Sequence, residues 1–175
     1  MMPGEVVVLV DEQDREQGVM DKLQAHEEGA LHRAVSVVVT DSSGRMLLQQ
    51  RTRSKYHGGG LWSNTCCGHP RPGEAPREAA ARRLREEMGL ACALRPVATF
   101  VYRAAVGPLI EHEVDHVFAG TTDAPPDPDP DEVMAWRAEP LDRLAGDLAA
   151  HPERYSPWLP HVLDALRRAD DGPRA

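Results

Sequence analysis

Cysteine is scarce in this chain: there are three, two adjacent at 66 and 67 and one at 92. That is a poor disulfide framework, so the expected setting is a reducing cytosol and the expected localisation cytoplasmic. Positive charge is in deficit as well, with 20 Lys and Arg against 28 Asp and Glu, a net charge of -8 and a pI near 5.4. A chain of that sign lacks the basic surface that nucleic acid or an anionic membrane requires, and any anionic ligand must be met by a local cluster of cations. Long apolar runs are missing too. The longest, VVVLV at 6–10, is far too short to span a bilayer, and the first residues lack the charged and apolar regions of a signal peptide. Aromatic residues make up only 5%, so one that falls beside a motif carries information. No internal repeat and no interior low-complexity linker interrupts the chain.

What is present is an ordinary globular composition, 41% hydrophobic and 27% charged over 175 residues. That fits a single domain over 1–175, large enough for a real core, with a monomer as the default state. Residues 6–10 read as a buried strand, ended by a polar run at 11–17 and Gly18. Lys22 and His26 sit four apart in a short helix-compatible segment that breaks at Gly29, and His32 then opens an apolar strand over 35–40. A turn at 41–44 returns the chain as a partner strand over 46–51, whose far end delivers Arg51, Arg53 and Lys55. A loop with three consecutive glycines, 54–60, leads to Trp62 and a turn at Cys67-Gly68-His69. A helix follows Glu74, with Pro76 suited to its first turn and Gly89 to the residue beyond its end. Strands at 94–102 and 109–118 are joined by a turn at Gly107-Pro108. A Pro/Asp surface loop at 124–131, a short strand at 132–138, helices at 141–149 and 157–168, and a frayed tail at 170–175 complete the reading. The pattern predicts a mixed sheet flanked by helices.

The densest local signal lies in 62–90. Gly68 is followed by Glu74, Arg82, Arg83, Leu84, Glu86, Glu87, Gly89 and Leu90. A glycine loop opening a helix with paired acids on one turn can hold a divalent metal against a phosphate, because glycine lets backbone approach the anion and the acids bring the cation. The spacing resembles the Nudix box, with one departure: Arg83 stands where that family has Glu. The preceding Cys67-Gly68-His69 resembles a narrower, non-hydrolytic branch, the type 1 isopentenyl-diphosphate isomerases. The resemblance implies an α/β Nudix fold, a mixed β-sheet sandwiched between α-helices, with a core over about 30–165 and N- and C-terminal additions.

Glu111 and Glu113 are two apart in a predicted strand, so both leave the same face, and two carboxylates this close repel unless a cation or proton sits between them. Taken alone, such a pair is more often the exposed face of an edge strand. His26, His32 and His69 change the balance, since three His with two same-face Glu suit a divalent metal. The resemblance implies that these five residues bind one divalent ion, Mg, Mn or Zn, and that Glu87 holds Mg on a substrate diphosphate, with no redox cofactor. His57 reads as a loop residue rather than a ligand, His112 and His116 as structural, and His151 and His161 have no motif around them.

The resemblance further implies that Cys67 and Glu113 are the two acid/base groups and that Tyr102 and Trp158 are the aromatic positions facing a carbocation. Lys22, Arg51, Lys55 and Arg83 would meet the diphosphate. Cys67 is chosen over Cys66 by register with the motif, and Cys66 faces away if the segment is extended. The expected activity is interconversion of isopentenyl and dimethylallyl diphosphate by a protonation–deprotonation allylic shift in isoprenoid biosynthesis. The expected partner is a small diphosphate, with no nucleic acid and no membrane. Two other classes stay open: a hydrolase of nucleoside diphosphate derivatives, which has no use for Cys67 or Trp158, and a binding module that only senses diphosphate.

Overall fold

A computed structural model of the chain describes residues 4–172. In chain order it runs β1 (Val6–Val10), β2 (Glu16–Asp21), α1 (Lys22–Glu28), β3 (His32–Thr40), β4 (Arg45–Arg51), β5 (Trp62–Ser63) and β6 (Cys66–Gly68). It continues through α2 (Pro76–Met88), β7 (Arg95–Val106), β8 (Leu109–Thr121), β9 (Val133–Pro140), α3 (Leu141–Ala150) and α4 (Leu159–Asp170). Of the tail expected to fray, Asp170 ends α4, and 173–175 lie outside the described residues.

The organising strand is β3. It lies parallel to β8 from His32 beside Glu113 to Thr40 beside Thr121, and antiparallel to β1, β4 and β6. With β7 paired to β8 and β9 to β4, this is one mixed sheet. Both faces of β3 are apolar and both are covered. Val35, Val37 and Val39 pack with Ala80, Leu84 and Met88 of α2, while Val38 packs with Tyr102, Trp158, Leu159 and Val162 on the α4 side. The alternation follows from the two-residue period of a strand, which is why β3 carries almost no polar residues after its first turn of sheet. The expected mixed sheet between helices is therefore the observed architecture. Among the described residues no helix is long and apolar enough to cross a membrane.

Two stretches differ from the reading of the sequence. The end of the polar run and the residues after it form a strand, β2, which among the described residues pairs only with β1 and leaves Val19 53% exposed. No residue of β2 is fully buried, and EQGVMD offers too few apolar positions to show a strand's alternation. The Cys67 segment is a short strand, β6, paired with β3 so that Cys67 sits opposite Ser36. That pairing sends Cys66 into the α2 layer and Cys67 to the opposite face.

The α2 helix begins at Pro76, and Glu78 reaches back to accept a hydrogen bond from the Ala75 N–H at 3.2 Å. Its preceding loop is tied to it by Glu74, whose carboxylate receives Arg82 Nε at 2.8 Å, Arg82 Nη2 at 2.9 Å and the Arg71 N–H at 2.9 Å. A bidentate guanidinium–carboxylate pair of this kind fixes orientation as well as distance.

Candidate active site

One cavity of about 960 Å³ opens where β3 and β8 begin and β4 ends. Cys67, His69, Glu111 and Glu113 line it, as do Tyr102, Trp158 and Glu87, and so do all four cations singled out in the sequence, Lys22, Arg51, Lys55 and Arg83. His26 and His32, both fully buried, stand behind the glutamates. Strand register explains much of this convergence. His32 pairs with Glu113 across β3 and β8, and Tyr102 pairs with Glu113 across β7 and β8.

The polar centre is a cage of imidazoles and carboxylates. His69 Nε2 lies 3.0 Å from Glu113 Oε1, His32 Nε2 lies 3.4 Å from the same oxygen, and His26 Nε2 lies 3.1 Å from Glu111 Oε2. The Nδ1–H of His26 donates to the Lys22 carbonyl at 2.6 Å and that of His32 to the Ala30 carbonyl at 2.8 Å. With the proton on Nδ1, each Nε2 turns a lone pair toward a carboxylate oxygen, an arrangement that repels unless a cation or proton lies between. His32 Nε2 is buried and, among the described residues, has no hydrogen-bond partner. His26, His32, His69 and Glu113 each bring one ligand atom within 4.8 Å of the others, so these groups could hold a metal ion, and the donor set fits one.

Burial pushes His69 well down, so it is neutral and able to donate a lone pair. Burial would raise Glu111 and Glu113. For Glu111, His26 and His57 outweigh it and hold the carboxyl well below its ordinary value. For Glu113, where the charge of Glu111 adds to burial, His32 and His69 outweigh both.

Cys67 is a different kind of group. Its thiol donates to Asn64 Oδ1 at 3.3 Å and lies 3.6 Å from Ser36 Oγ, which donates to Asp115 Oδ2 at 2.7 Å. Burial, helped by the Asp115 carboxylate, pushes the thiol up to about 12. Asp115 is itself pushed up to about 8, by burial and then by Glu113. Tyr102 Oη donates to Glu113 Oε2 at 2.6 Å, and Trp158 is oriented by its Nε1–H, which donates to Ser63 Oγ at 2.9 Å. The Arg51 guanidinium sits 5.2 Å from the Trp158 ring centroid.

Three of the four cations are paired with acids. Arg83 contacts Glu87 and donates to Glu86 at 2.8 Å, Lys55 contacts Glu132, and Lys22 lies 3.2 Å from Glu5. Glu87 is buried, which would raise it, but Arg83 and Lys55 hold it down. Gly68 explains how Arg83 reaches this position. A Cβ at Gly68 would lie 2.5 Å from Arg83 Cγ and 3.0 Å from Cδ, so the stem of Arg83 occupies the space that any other residue would need. Gly68→Ala is expected to displace Arg83, lowering stability by about 1–3 kcal/mol. Thermal unfolding and the KM for substrate check this; an unchanged KM would mean that Arg83 has another route to the same place.

Three residues were missed or misread. His57, expected to be only a loop residue, lies 2.5 Å through Nε2 from Glu111 Oε1, and with His26 and Glu111 forms a second group able to surround an ion. Asp115 extends the same alternation that placed Glu111 and Glu113, so the signal was there. Glu132 gave none, being one acid at the end of a Pro/Asp loop.

The chain matches the NUDIX domain family over residues 30–162. It is 54% identical over 161 residues to a protein of Aromatoleum aromaticum named isopentenyl-diphosphate Delta-isomerase 2, covering 91% of this chain and 85% of that one. It is 51% identical over 159 residues to an isopentenyl-diphosphate Delta-isomerase of Pectobacterium atrosepticum, covering 90% and 89%. Among solved structures, a protein of Deinococcus radiodurans superposes with a TM-score of 0.79 at 22% identity, covering 94% of this chain and 100% of that one. A MutT NUDIX hydrolase of Burkholderia pseudomallei superposes at 0.62 and 22% identity, covering 78% and 98%; these two speak to fold alone.

Proposed function

We propose that this chain, which belongs to the Nudix family and within it to the isopentenyl-diphosphate Delta-isomerases, interconverts isopentenyl and dimethylallyl diphosphate through paired proton transfer by Cys67 and Glu113. The observation that carries this reading is geometric: Cys67 on β6 and Glu113 on β8 reach one cavity from different strands. A thiol pushed up to about 12 keeps its proton, and a carboxylate held down by its histidines stays ready to accept one. In the direction of dimethylallyl diphosphate, Cys67 gives its proton to C4 of the C3–C4 double bond, positive charge develops at C3, and Glu113 removes a proton from C2. The C2–C3 double bond forms and no net proton is consumed. The reverse direction exchanges the two roles.

A tertiary carbocation survives only where water is excluded and π-faces are near. Trp158 and Tyr102 are 3% and 5% exposed and both line the cavity. A desolvated aromatic face contributes on the order of 2 kcal/mol toward such a charge. His26, His32, His69, Glu111 and Glu113 would hold one divalent ion; imidazoles suit Zn or Mn, and two carboxylates leave Mg open. When bound, that ion supplies fixed charge that orders both carboxylates and lowers the proton affinity of Glu113. Lys22, Arg51, Lys55 and Arg83 meet the diphosphate, and Glu87 would carry Mg with it. Arg83, where a hydrolase has Glu, removes an acid that would gather metal and adds a cation that grips substrate. Every group named comes from one chain, so a monomer suffices.

Lys55 makes the substrate site pH-dependent. Burial pushes its ammonium down to about 8, with Arg51, Arg83 and Lys22 adding to that against the charge of Glu87. The free enzyme therefore holds this cation below about pH 8 and loses it as pH rises through that value, so kcat/KM is expected to fall on the alkaline side. Lys55→Arg keeps its charge throughout and should move the alkaline limb upward. Profiles of kcat/KM for the two proteins check this, and coincident limbs would reassign the ionisation.

The direct test of the activity is incubation with isopentenyl diphosphate and Mg²⁺, separating products by chromatography. Dimethylallyl diphosphate without released phosphate is expected; released phosphate would make the chain a hydrolase.

A further inference from the structure

The cluster contains one imidazole for which neither the motif nor the reaction has a use. We propose that His57 is a positioning residue for Glu111: its Nε2–H clamps one carboxylate oxygen so that the other faces the metal cluster. This rests on the reading of that cluster as a metal centre. His57 sits in the loop between β4 and β5, and only 8% of its side chain is exposed. Its Nε2 lies 2.5 Å from Glu111 Oε1, while its Nδ1 is buried with no hydrogen-bond partner among the described residues. Nothing draws the ring proton to Nδ1, and a carboxylate oxygen waits at Nε2, so the tautomer carries its proton on Nε2 and donates it. The remaining oxygen, Glu111 Oε2, is the one 3.1 Å from His26 Nε2. The Nδ1–H of His26 is spent on the Lys22 carbonyl, which fixes the ring with Nε2 toward this oxygen. The two oxygens of Glu111 thus face a donor on one side and the cage on the other.

The ring cannot swing away easily. Its centroid lies 4.2 Å from that of Tyr56, 5.3 Å from His26 and 5.9 Å from Trp158. The loop that carries it is tightly closed: a Cβ at Gly59 would lie 2.7 Å from the Arg53 carbonyl oxygen. His57 also serves the neighbouring site through its backbone, since its carbonyl accepts from Arg51 Nη2 at 3.1 Å. One residue therefore holds Glu111 with its ring and Arg51 with its main chain, linking the metal face of the cavity to the diphosphate face.

Groups that orient a metal-binding side chain in this way typically contribute 10–100-fold in metal affinity. The test uses the full chain, titrated with Mn²⁺ and with Zn²⁺ in competition with a fluorescent chelator, alongside His57→Ala, His57→Phe and His57→Gln. His57→Phe keeps a flat ring against Tyr56 and Trp158 but has no N–H; the amide of His57→Gln can still donate to Oε1. We expect the Ala and Phe variants to bind about 10–100-fold more weakly and the Gln variant to recover most of the loss. If His57→Ala fails to fold, the Phe and Gln pair decides alone. Phe binding as tightly as wild type, or Gln as weakly as Phe, would overturn the role of His57. A wild type that takes up neither ion would instead overturn the metal reading itself. The readout is metal affinity, so it does not depend on the isomerase activity.

Discussion

Cys67→Ala is expected to lower turnover by on the order of 10²–10⁴-fold, the usual worth of a positioned proton donor, while leaving fold and metal uptake intact. Fold survives because Cys67 anchors nothing that its neighbours do not hold already. Asn64 keeps its own bonds to the Val37 and Cys66 carbonyls, and Ser36 keeps Asp115. Metal uptake survives because the sulfur belongs to neither group of residues that could surround an ion. Cys66→Ala is the internal control. Cys66 is fully buried on the other face of β6 against α2, so its loss should cost about 1 kcal/mol of stability and leave turnover within a few-fold. A Cys67→Ala protein that turns over normally would remove the thiol from the mechanism. Equal losses in both variants would mean that packing around β6, and not proton transfer, had been measured.

Glu113→Gln should be the more damaging change, because one carboxylate serves two purposes. In the proposed reaction it accepts a proton from C2, and in the structure it faces His32, His69 and the phenol of Tyr102. The amide is nearly the same shape but has no charge to offset a divalent ion and no basic oxygen to take a proton. Metal affinity is expected to fall by about 10–100-fold. Turnover is expected to fall by at least about 10³-fold, and saturating metal should not restore it. That second result separates the two roles. Recovery of full turnover at high metal would make Glu113 a ligand only and require another base in the cavity.

How much of this was legible in the sequence depended on how local each signal was. The pair Glu111 and Glu113 could be read because a strand repeats every two residues, and the box helix because glycine, acids and apolar positions recur at helical spacing. Cys67 was told from Cys66 by register with the motif; that the two face opposite ways became certain only once the segment proved to be a strand. His57 could not be read this way. Its place beside Glu111 depends on the course of a glycine loop and on a main-chain bond to Arg51, neither of which has a period. Glu132 and the strand β2 were hidden for a related reason: a polar residue at a sheet edge and one that pairs a buried cation look alike until the partner is known. The pairing of Arg83 with Glu87 was legible as two residues four apart on one helix face, whereas that of Lys55 with Glu132 was not.

In the proposed reaction one group of this cavity adds a proton to the substrate while another removes one. Proton NMR of isopentenyl diphosphate with the purified protein and Mg²⁺ in D₂O follows that exchange. Dimethylallyl diphosphate with deuterium in the newly formed methyl group is expected, because a thiol donor at Cys67 exchanges with solvent before it donates. Dimethylallyl diphosphate free of deuterium would overturn this two-group transfer, since one hydrogen would then have passed from C2 to C4 without exchange, directly or through a single group.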